Sequence, residues 1–149
     1  MKKLFIAFVA LMMASSCSVD DDSANTTYEL AEITGHDLPK NFVFGETYTV
    51  KINYILPSQC NNFALIDART GGSINPEKRE IYVGIVTSLN NSSNCDATVI
   101  GEDGSKTFSI TIDETEAYTF YFWTGLDEDD QPIYTEIIIP VEEALSSDN

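Results

Sequence analysis

Few residues in this chain have the type and spacing for chemistry: three cysteines, one histidine, a few close carboxylates and one strand crowded with aromatic rings. Glu114 and Glu116 are the nearest approach to the paired carboxylates of a glycosidase, one serving as acid and the other as base or nucleophile. His36 lies in Thr34-Gly35-His36-Asp37-Leu38-Pro39, whose glycine and proline predict a turn and a surface loop residue. No Gly-x-Ser-x-Gly, His-Glu-x-x-His or phosphate-cradling glycine loop occurs. Asp127-Glu128-Asp129-Asp130 offers carboxylate oxygens to a cation such as Ca²⁺ through Asp127, Asp129 and Asp130. It lacks the glycine and closing glutamate of an EF-hand, so the reading is a solvated hairpin with no metal. Tyr121 and Trp123 share one parity of a strand, and Tyr134 falls on a neighbouring one. Together they would make a platform able to stack on a sugar ring or a peptide. The competing reading places these three in the core and turns Tyr118, Phe120 and Phe122 outward.

Lys2 and Lys3 precede the apolar run Leu4 to Ala14, which as a helix would reach roughly 16 Å and so falls short of a ~30 Å hydrocarbon core. A basic start, a short apolar region and small residues form a secretory signal peptide over residues 1–16. Ala14-Ser15-Ser16-Cys17 resembles the relaxed lipobox of Bacteroidetes lipoproteins. The resemblance implies a diacylglycerol on the Cys17 sulfur, cleavage before Cys17 and attachment to the outer membrane. Ser18-Val19-Asp20-Asp21-Asp22-Ser23 resembles the acidic surface-export signal of flavobacterial lipoproteins, which would carry the protein to the cell exterior. Asp22-Ser23-Ala24 is similar to the short O-glycosylation motif of that phylum, with Ser23 as the acceptor. Residues 17–27 otherwise read as an acidic tether.

Composition narrows the partners. Eight basic side chains face 24 acidic ones, and the proposed cleavage removes two of the eight. Nucleic acid is excluded as a partner, because binding it requires clustered Lys and Arg to displace counterions, and the largest basic cluster is Lys78-Arg79. The same charge keeps the chain from lying flat on anionic lipid, leaving membrane attachment to the acyl chains. With Cys17 modified, Cys60 and Cys95 remain as an even pair in a secreted chain, which predicts a disulfide worth roughly 3.8 kcal/mol in the chain-entropy account. Two thiols and one distant histidine are too few for closed zinc geometry. No cofactor is expected.

From Tyr28 onward the apolar pattern has period two, with no sustained helical period. Strands are predicted at 28–33, 47–56, 63–68, 80–88, 97–100, 106–112, 117–124 and 133–141. The Asp103-Gly104 pair reads as the hairpin turn joining the fifth and sixth. Pro140 marks a strand exit or a sheet edge. Seven to eight strands in residues 28–142 predict an all-β domain, an antiparallel two-sheet immunoglobulin-like sandwich, with a small closed barrel as runner-up. Trp123 follows both cysteines, so the cystine should staple a loop rather than cross the core. Residues 143–149 are expected to form a disordered tail.

Phe44-Gly45-Glu46-Thr47-Tyr48-Thr49-Val50, Pro57-Ser58-Gln59-Cys60, Asn94-Cys95 and Tyr121-Phe122-Trp123-Thr124-Gly125-Leu126-Asp127 together resemble a family of small flavobacterial surface lipoproteins. The resemblance implies a displayed domain and no particular chemistry. The sequence thus points to a monomeric, lipid-anchored, non-catalytic module for binding, adhesion or an accessory role, whose ligand is a glycan or a protein. A small hydrolase using paired carboxylates and a purely structural envelope lipoprotein are the alternatives.

Overall fold

The computed structural model describes residues 26–71, 79–90 and 94–143. Cys17, Asp20, Asp21, Asp22, Ser23, the signal peptide, most of the tether and the tail beyond residue 143 lie outside these residues. Within them the chain is all-β: β1 (Thr27–His36), β2 (Phe42–Val43), β3 (Thr47–Ile55), β4 (Asn61–Thr70), β5 (Glu80–Leu89), β6 (Asp103–Thr111), β7 (Tyr118–Leu126), β8 (Pro132–Ile139) and β9 (Val141–Glu142).

One seven-stranded sheet runs in the order β6-β3-β1-β5-β7-β8, with β4 on the other edge of β5. Most neighbours are antiparallel. β5 and β7, however, run parallel from Glu80 beside Thr119 to Val83 beside Phe122, so the sheet is mixed. β2 and β9 form a small parallel pair. The sheet does not close into a barrel.

Its organising element is β1. The first half, Thr27 to Ala31, pairs with β5, and the second half, from Glu32, pairs with β3, with a register shift between Ile33 and Gly35. The extra residue at the shift increases the local bend and twist of the second half. One wing is therefore β6-β3-β1 and the other is β4-β5-β7-β8. Their inner faces meet in a core of Ile33, Val50, Ile52 and Tyr54 on one side and Val83, Ile85, Tyr118, Phe120 and Phe122 on the other. Phe120 is fully buried and Phe122 and Val50 nearly so. Each such side chain contributes about 1.5–3 kcal/mol by leaving water. Phe108 packs against this cluster only in part, because it lies on the edge strand β6.

Three sequence expectations need correction. The run 97–100 is a set of turns, not a strand. Asp103 and Gly104 are not a hairpin turn but open β6, opposite Ile55 and Tyr54. Gly104 is required by proximity, since a Cβ there would come within 2.4 Å of the Tyr54 ring. His36 ends β1 and is half-buried, its ring stacked 5.0 Å from that of Phe122, while its Nδ1 accepts the Leu38 N–H at 3.3 Å. Glycine in a strand signals close approach as readily as a turn, and Gly104 shows the ambiguity.

The cystine joins Cys60, just before β4, to Cys95 in the connection between β5 and β6, with Cα atoms 5.2 Å apart. Beside it a buried polar cluster is closed on itself. Asn61 donates to Glu29 Oε2 at 2.9 Å and to Thr87 Oγ1 at 3.1 Å, while Ser58 Oγ donates to Asn61 Oδ1 at 2.6 Å. Pro140 ends β8, and its carbonyl accepts the Phe42 N–H at 2.9 Å, turning Val141 out of the main sheet and into β9.

Candidate functional site

Alternation along β7 sends Tyr118, Phe120 and Phe122 into the core and leaves Thr119, Tyr121 and Trp123 on the outer face. This resolves the two orientations open in the sequence. The register of β8 sets Tyr134 opposite Trp123 and Glu136 opposite Tyr121. On β5 the residues of outward parity are Tyr82, Gly84 and Val86, with Tyr82 beside Tyr121. β4 adds Arg69 opposite Tyr82 and Asp67 opposite Gly84.

The rings pack as a unit. Tyr82 and Tyr121 stack at 4.6 Å with 17° between planes, and Tyr134 meets Tyr82 edge-on at 5.4 Å and Tyr121 edge-on at 6.5 Å. Both arrangements suit the ring quadrupole. Burial, together with the negative charges of Glu136 and Glu80, raises the pKa of the Tyr121 hydroxyl, which favours its neutral form. Tyr134 is 38% exposed, whereas Tyr121 and Trp123 are half-buried. The aromatic residues are thus less a flat open platform than one wall of a groove.

The groove exists because the sheet forks. β5 pairs with β7 up to Val83 and with β1 from Ile85 onward, so Gly84 stands where the two partners diverge. Lacking a side chain, Gly84 leaves the floor open, and a Cβ there would approach only Leu30 Cδ2, at 3.4 Å. The resulting groove has a volume of about 450 Å³ and is walled by Tyr82, Trp123 and Tyr134 on one side and Asp67 and Arg69 on the other. Arg69 grips Asp67 through two contacts, Nε to Oδ1 at 2.6 Å and a terminal nitrogen to Oδ2. This hydrogen bonding holds the guanidinium pKa above its ordinary value. Such a pair keeps spare donors and acceptors for a ligand. Trp123 and Leu30 also line an adjoining depression of about 290 Å³, so the two hollows share a ridge.

The other sequence candidates do not assemble here. Asp127, Asp129 and Asp130 form the hairpin between β7 and β8, where Asp127 Oδ1 accepts the N–H groups of Asp129 at 2.9 Å and Gln131 at 2.8 Å. The carboxylate of Asp127 is therefore an internal cap of the turn. Among the described residues, no group of three or more His, Cys, Asp or Glu is placed to hold a metal ion. Glu116, of the candidate carboxylate pair, is ion-paired with Arg79.

Sequence reasoning found Tyr121, Trp123 and Tyr134 but missed Tyr82, Gly84, Asp67 and Arg69. A signal was present: Gly84 interrupts a β-branched strand at the same parity as Tyr82, opposite to the core-facing Ile81, Val83 and Ile85. No family model matches this chain, and no curated protein or solved structure matches it.

Proposed function

We propose that this protein is a lipid-anchored, surface-displayed binding module whose ligand seats in the groove at Gly84. The observation that carries the reading is the clustering of Tyr82, Trp123 and Tyr134 around a floor left open by a glycine in mid-strand. Exposed aromatic surface beside a charged pair is unfavourable for a face that meets only water, and it is the usual make-up of a binding site. Anchoring rests on Lys2, Lys3, the apolar run and Cys17, and export rests on Asp20, Asp21 and Asp22. An immunoglobulin-like sandwich is supported by Tyr118 at the start of β7. Its hydroxyl accepts the N–H groups of Asp113 at 3.1 Å and Glu114 at 3.2 Å, in the manner of a tyrosine corner. The parallel β5–β7 pair departs from that pattern.

Two experiments test the reading. Intact-mass analysis of the membrane fraction should give a chain beginning at an acylated Cys17, and a species retaining Met1 would reject the anchor. Binding by the full chain to arrays of glycans and peptides should be lost in Gly84→Val, which fills the groove floor with a residue suited to strands. Ligands that ignore this substitution would place binding elsewhere.

A further inference from the structure

We infer that the groove ligand is an uncharged oligosaccharide chain; the inference rests on the binding role proposed for the groove and names its ligand. A pyranose ring presents an apolar C–H face with a rim of hydroxyl groups, and the groove offers the complement of both. Trp123 and Tyr134 supply ring surface, and the paired Asp67 and Arg69 supply acceptors and donors along the opposite wall. Tyr82 is fixed by its stack on Tyr121, so this wall is ordered before a ligand arrives and little side-chain freedom is lost on binding.

Two other ligand classes fit less well. A polyanion would meet a chain of formal charge −16, and the cation at the groove, Arg69, is already neutralised by Asp67. An extended peptide gains its affinity by adding a strand to a free sheet edge. The groove instead lies over β5, which has neighbours along both edges. A chain of several sugars is favoured over a single sugar, because Trp123 and Leu30 border the second depression and continue the surface past the first.

The test is affinity electrophoresis of the full chain, solubilised from membranes in detergent, through gels holding xylan, mannan, laminarin or dextran, with alginate and gelatin gels as the charged and peptide comparisons. At least one neutral polysaccharide should retard the protein. Trp123→Ala and Gly84→Val should each weaken that retardation tenfold or more, and thermal unfolding of Gly84→Val should stay cooperative. Retardation by none of the neutral polymers, or retardation indifferent to both substitutions, would overturn the inference. Retardation by alginate or gelatin that Gly84→Val abolishes would also overturn it, while leaving the groove as a binding site. If no polymer in any gel responds to Gly84→Val, the binding role falls as well.

Discussion

The outward faces of the two wings are built over one shared core, yet they solve the problem of meeting water in opposite ways. On the β3–β6 face Thr47, Thr49, Lys51 and Asn53 lie opposite Thr111, Ser109, Thr107 and Ser105, all exposed. Thr47 and Thr111 share a hydrogen bond of 2.9 Å and Thr49 and Ser109 one of 3.4 Å. The β4–β5–β7–β8 face, with the first half of β1 beside β5, carries Leu30, Tyr82, Val86, Trp123 and Tyr134 at the corresponding outward positions. A hydroxyl ladder of the first kind is complete as a surface. The second face has aromatic area that neither the core nor a neighbouring strand consumes, and this asymmetry is why the proposed binding role falls on one wing.

The comparison can be broken at the core both wings share. Phe122→Ala should cost about 3–5 kcal/mol and unfold the two faces in a single transition, measured by chemical denaturation. Two separate transitions would mean that the wings are independent. Reduction of Cys60–Cys95 should cost about 3–4 kcal/mol by freeing the unfolded chain. Hydrogen exchange should then rise around Ile100, which borders the second depression, and stay unchanged at Thr49.

Trp123→Ala removes a half-buried ring at the groove and should lower stability by about 1–2 kcal/mol, less than a core truncation. A loss as large as that of Phe122→Ala would make Trp123 a core residue. Alkaline pH probes the shared core. Burial raises the pKa of the Tyr54 and Tyr118 hydroxyls above 10.0, so the folded state favours their neutral forms. Their contribution is whole below pH 10 and is lost as pH rises through the raised values. Unfolding monitored from pH 8 to 12 should therefore show a plateau followed by a fall. The smallest effect is expected for Thr49→Val, within about 0.5 kcal/mol and with no change in ligand retention.

How much of this was legible depended on whether the signal was local. β3 reads directly from Tyr48, Val50, Ile52 and Tyr54 because alternation lies within one segment. The Cys60–Cys95 pair was accessible by counting, and β7 by its two aromatic parities. The groove as a whole was not, because Asp67, Gly84 and Trp123 meet only through the pairing of β5 with both β4 and β7. Nothing in local spacing distinguishes a parallel neighbour from an antiparallel one. The misplaced strand at 97–100 has the opposite cause. Val99 and Ile100 are apolar enough to suggest a strand, but the backbone there turns, with Gly101 N–H bonding to Leu56 O at 3.1 Å.

The sharing of β1 between the wings also has a consequence in time. β4 and β5 are consecutive strands and can associate as soon as both are available, as can β7 and β8. Thr27 must wait for Leu89, however, and Glu80 for Thr119, before β5 has its second edge covered. Closing such distant pairings costs chain entropy before any contact is gained, which slows folding relative to proteins rich in local contacts. A chain emerging from its amino terminus would therefore hold the central strand half-paired until β7 arrives, and only then could the fork form.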